Sequence, residues 1–138
     1  MLLKNILLLF VIFLTEGKWK IEKVTSQLFT QTDNKLLEQK TYTTANEMSE
    51  INGQVPLIIS LSAHRYIMKF QSGTEQGIYS MNAANQLVLQ QEGLPDKSYD
   101  YRLKPDSSLE LNMPASFYKD NKRNLAVKLV YTCYYSKQ

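Results

Sequence analysis

The sequence predicts an all-β protein, a single antiparallel up-and-down β-barrel of about eight strands. Three observations lead there. From Gly17 onward the apolar residues recur mostly at every second position, which is the period of a strand and not of a helix. The strand-like stretches follow one another at intervals of about ten residues, separated by short turns rich in Asn, Asp, Ser and Gly. No stretch beyond the N-terminus has the spacing of a strand–helix–strand crossover, so neighbouring strands are expected to pair antiparallel.

Composition narrows the class. A chain of 138 residues fits one domain. With 43% hydrophobic and 21% charged residues it can bury a core and is unlike a disordered chain. Nine tyrosines and five phenylalanines favour sheets. The formal charge is only +3, and lysines and acids are interspersed, so no nucleic-acid partner is expected. The single cysteine, Cys133, allows no intramolecular disulfide, and the core alone must hold the fold. With one histidine, His64, and no Cys/His cluster, neither a metal site nor a cofactor is expected.

At the N-terminus Lys4 precedes the apolar run Ile6–Leu14, which suits a signal sequence and is too short to span a membrane. Residues 1–15 are therefore expected to be a signal peptide or an N-terminal anchor, and residues 16–138 the barrel domain. The protein is expected to be exported, periplasmic or secreted, or attached to a membrane through that segment. No A-x-A-like cleavage site occurs in Phe13–Gly17 (FLTEG), so both fates stay open, and the domain is expected to be monomeric.

In order along the chain, Trp19 and Ile21 alternate with Lys18, Lys20 and Glu22 in a first strand running towards Phe29. Thr30–Lys35 reads as a hairpin turn, and Leu36–Thr44 as a second strand. Ala45–Gly53 breaks the alternation and reads as a helical turn or lid. Val55–Ser62 and His64–Gln71 are strands, with Pro56 at the start of the first. Ser72–Gly77 reads as a turn, Ile78–Met81 and Leu87–Gln91 as strands around the turn Asn82–Asn85, and Gly93–Lys97 as a break. Tyr99, Tyr101 and Leu103 alternate cleanly with Asp100, Arg102 and Lys104. Pro105–Ser108 turns into Leu109–Met113, Pro114–Asn124 reads as a long polar loop, and Leu125–Tyr135 closes the chain as a long strand.

Closing such a meander removes its edges, provided the first strand meets the last. A large indole on the inner face of the first strand could plug one end. At this point Gly17-Lys18-Trp19 resembles the G-x-W signature on the first strand of lipocalins and their calycin relatives. The strand spacing resembles the compact lipocalin-like proteins of the bacterial envelope. The resemblance implies structural roles for Gly17 and Trp19, and a basic residue of the last strand packed over the indole. Arg123, Lys128 and Lys137 are the candidates for it. Tyr99-Asp100-Tyr101 is a loose echo of a second lipocalin signature, T-D-Y.

An eight-stranded barrel either fills its interior with side chains or holds one small ligand. The expected ligand-binding residues are those of the alternating inner face: Tyr66, Met68, Phe70, Leu89, Tyr99, Tyr101, Leu111 and Tyr131. The first functional reading is therefore an exported binder of a small hydrophobic molecule. The second is a non-enzymatic envelope module with a filled core, binding a protein or polymer through loops such as Ser116–Asn124, where Tyr118, Lys122 and Arg123 combine aromatic and basic character. No catalytic residue is expected. His64 has no nucleophile or orienting partner by motif, Cys133 reads as a buried inert thiol, and the acids alternate with lysines on outer faces.

Overall fold

The computed structural model describes residues 16–51 and 53–138. The signal or anchor expected at residues 1–15 lies outside them. The described chain runs β1 (Gly17–Thr30), β2 (Leu36–Tyr42), the short helix α1 (Ala45–Met48) with a 3-10 turn at Ser49–Ile51, then β3 (Ile58–Ser62), β4 (Arg65–Phe70) and β5 (Gly73–Met81). β6 (Gln86–Gln90), β7 (Lys97–Leu103), β8 (Ser108–Asn112), β9 (Ser116–Asp120) and β10 (Leu125–Lys137) complete it.

Eight of these strands close an all-antiparallel barrel in the order β1, β3, β4, β5, β6, β7, β8 and β10, with β10 returning to β1. The predicted fold class is what the chain adopts. The two strands left over, β2 and β9, build something the sequence did not announce. β1 has 14 residues and β10 has 13, about twice the length of most others. One edge of β1 pairs with β10 throughout; the other pairs with β3 over Gly17–Lys20 and with β2 over Val24–Phe29. β10 does the same with β8 and then β9. The far halves of β1 and β10 thus leave the barrel together, flanked by β2 and β9, as a projecting four-stranded blade.

The hand-over occurs at a bulge between Ile21 and Lys23, where the backbone register with β10 skips Glu22. A bulge bends its strand and shifts the side-chain phase. Before it Trp19 points inward; after it Val24, Ser26, Leu28 and Thr30 do, so the inner set is not the one that uninterrupted alternation towards Phe29 would give.

Two segments expected as irregular are strands. The expected turn Ser72–Gly77 is mostly the start of β5, which pairs Gly73–Gly77 with β4. The expected loop Pro114–Asn124 contains β9, paired with Leu125–Leu129 of β10, and only its tip turns. Both stretches lie mostly exposed, which leaves no buried–exposed alternation to read. Gly77 is required where it stands: a Cβ there would lie 2.3 Å from the Gln90 carbonyl oxygen and 2.9 Å from the Tyr66 ring.

Candidate binding trough at the blade end of the barrel

The inner faces of the barrel strands meet in one cluster that holds Trp19, Ile59, Tyr66, Met68, Leu89, Tyr99, Tyr101, Leu111 and Cys133, all buried. Six of the eight expected ligand residues belong to it; Phe70 and Tyr131 are half-buried and packed against it. Met68 and Leu111 have no exposed surface at all. The depth of the barrel is packed side chain against side chain.

The segment expected as a lid closes that packing at the blade end. Helix α1 is set by a capping box, in which the Thr44 hydroxyl accepts from the Glu47 amide and the Glu47 carboxylate accepts from the Thr44 amide. The chain that follows drives Ile51 and Val55 into the core cluster, each only 3% exposed. The Tyr135 hydroxyl donates to the Pro56 carbonyl at 2.7 Å and ties the closing strand to this lid.

Above the lid the blade rises on one side, and two clefts lie at its foot. One, about 560 Å³, is lined by Gln54, Met113, Pro114, Ser116, Tyr118, Leu129 and Tyr131. The other, about 420 Å³, is lined by Gln54, Phe70, Thr74, Glu75, Lys97, Tyr99 and Met113, with Gly53, Ser72 and Gly73. They share Gln54 and Met113 and so adjoin as a trough. Its blade side sets Tyr118, Tyr131, Leu129 and Met113 beside Ser116 and Gln54. Its far side is polar: Glu75 accepts from the Tyr66 hydroxyl at 2.9 Å and pairs with Lys97 at 2.9 Å. Burial, with the Glu75 charge adding, pushes the Tyr99 hydroxyl up to about 12. A neutral phenol and an ion pair at one end, with tyrosine and methionine at the other, suit an amphipathic guest.

Of the expected ligand residues, the trough brings together Phe70, Tyr99 and Tyr131. Tyr66 takes part through its hydroxyl, while Met68, Leu89 and Leu111 stay in the core beneath. Tyr101 is buried in the core cluster and borders a polar cleft lined by Asp100, Arg102 and Asn112. Gln54, Glu75 and Lys97 were not singled out by sequence reasoning; they come from three separate connections and strand starts, and no local pattern unites them.

The opposite end of the barrel is built around Trp19. Trp19 is fully buried, and the Lys137 ammonium lies 5.6 Å from its ring centre. Lys137 is thus the basic residue packed on the indole; Lys128 sits over Phe29 at 5.2 Å, and Arg123 pairs with Asp120 and Glu38. Gly17, with φ +128, leaves the space: a Cβ there would lie 2.8 Å from Cε of Lys137.

The other residues considered are placed as follows. His64 stands in a tight turn with φ +65, its ring 6.5 Å from that of Tyr79. Cys133 is buried, and that burial pushes its thiol up to about 12, away from nucleophilic use. Among the described residues no group of three or more His, Cys, Asp or Glu converges as a metal site. In the loop Ser116–Asn124, Tyr118 lines the trough, while Arg123 is held by Asp120 and Glu38.

No family model, no curated protein and no solved structure matches the chain. The barrel is compatible with a calycin-like fold on its own geometry.

Proposed function

We propose that this protein is an exported, non-enzymatic, lipocalin-like binder that takes a small amphipathic molecule in the trough at the blade end, above a filled barrel. The supporting observation is the contrast between the barrel interior and the trough. The interior is packed and capped by Ile51 and Val55, whereas the trough stands open with Phe70, Tyr99, Tyr118 and Tyr131 on its walls. Clefts of about 420 and 560 Å³ lie within the usual range for small ligands. The apolar part of the guest would gain roughly 25 cal/mol per Å² buried, and Glu75, Lys97 and Gln54 would orient its polar end.

A second reading, a module binding a protein or polymer through its loops, is favoured by Phe117, 65% exposed beside the tip of the blade. Native mass spectrometry of protein expressed in lipid-rich cells, repeated with added palmitate, separates the two. A bound mass lost in Tyr131→Ala and Tyr118→Ala but kept in Phe117→Ala supports the trough. Loss of the bound mass in Leu89→Ala alone would return the site to the barrel interior. No bound mass under either condition would leave the module reading. Trp19 emission is a poor reporter here, because the indole is buried at the other end.

A further inference from the structure

We propose that β2 is a self-pairing edge: two copies join their β2 strands antiparallel about a two-fold axis at Gln39, making the two blades one continuous sheet. β2 pairs with β1 along one side, and among the described residues no strand pairs with its other side. Such an edge presents free backbone donors and acceptors and is a template for a further strand. What chooses the further strand is the order of charges along it. Antiparallel pairing centred on Gln39 sets Glu38 of each copy opposite Lys40 of the other, twice over, with no like charges facing.

Three facts make that exchange accessible. Glu38 and Lys40 share the concave face, since their β1 partners are the inward Leu28 and Ser26. Their side chains are 57% and 45% exposed. Their partners within the chain, Arg123 at 3.2 Å and Glu50 at 2.5 Å, are surface ion pairs that can be shared or exchanged at little cost. Leu36, 46% exposed at the same edge, would gain cover. The blade's other edge lacks this code: self-pairing of β9 about Tyr118 sets Phe117 against Lys119 and Ser116 against Asp120. An isologous two-fold contact needs a surface complementary to itself, and β2 is the edge that has one. On this proposal the chain pairs as a dimer, where the sequence reading expects a monomer.

Sedimentation velocity of the full chain tests this across a concentration series. The unmodified chain is expected to double its mass as concentration rises. Glu38→Lys and Lys40→Glu are each expected to weaken the dimer at least tenfold, because each sets like charges face to face. Mixed in equal amounts, those two variants are expected to form a dimer again, since every facing pair is then opposite in sign. Trp19 emission checks that each variant keeps its barrel, and the mixing result does not depend on the ion pairs each variant loses internally. A chain monomeric at every concentration overturns the proposal. So do single variants that dimerise unchanged, a mixture that stays monomeric, or a dimer abolished by Lys119→Glu on β9.

Discussion

β1 and β10 each belong to two different environments. In their barrel halves, Trp19 and Tyr135 are fully enclosed by strands that curve round to meet them. In their blade halves the same alternation continues through Ser26, Leu28, Val127 and Leu129, but among the described residues no strand or helix is packed as a second layer opposite. Cover there comes from side chains laid across the concave face. Arg123 reaches from the tip to Asp120 at 2.6 Å and to Glu38 at 3.2 Å, joining β9 to β2 across the two central strands. Among the described residues, one half is held by a three-dimensional core and the other by a single sheet with a polar strap. A period of two marks which side chains share a face; it does not say whether anything closes over that face.

The largest effect should come from the barrel. Leu111→Ala, at a position with no exposed surface, is expected to cost about 2–5 kcal/mol of global stability, measured by denaturant unfolding. A loss below about 1 kcal/mol would mean that the interior has room to relax, and the trough would lose its claim over the cavity.

Alkali should separate the halves next. The Tyr99 hydroxyl and the Cys133 thiol are both pushed up to about 12 by burial. Because the folded values are raised, their contribution is fully present below the unfolded values of roughly 9–10 and is lost as pH rises to about 12. Thermal melts should therefore fall steeply through that window. Tyr99→Phe with Cys133→Ala should flatten the fall, and an unchanged profile would place the alkaline weakness elsewhere.

The smallest effect should come from the strap. Arg123→Ala is expected to cost less than about 1 kcal/mol globally, since Arg123 and Glu38 are 38% and 57% exposed. It should nonetheless speed hydrogen exchange in β2 and β9 while leaving β4 to β7 unchanged. Equal acceleration everywhere would show that blade and barrel unfold as one unit, which would end the comparison drawn above.

Much of the barrel was legible because closed, half-buried strands must alternate. Tyr99–Leu103 carries a buried–exposed pattern that no turn or helix would need. The blade was less legible. β9 reads as a loop because its Ser116–Lys119 run is wholly exposed, and the start of β5 reads as a turn because Gly73–Gly77 has no apolar residue to bury. The bulge at Glu22 was invisible because it is a relation between two strands far apart in sequence. The candidate trough was half legible: Phe70, Tyr99 and Tyr131 follow from alternation, whereas Gln54, Glu75 and Lys97 come together only when the lid folds over the barrel.

The sequence by itself determined the class of fold and the inward faces of the regular strands such as Tyr99–Leu103, because each rests on local period and turn chemistry. Only the tertiary structure decided that Lys137 and not Arg123 or Lys128 covers Trp19, that Ile51 and Val55 stopper the barrel, and that two hairpins outgrow it as a blade. Those outcomes depend on which distant side chains reach one volume first, and packing density, not period, settles that.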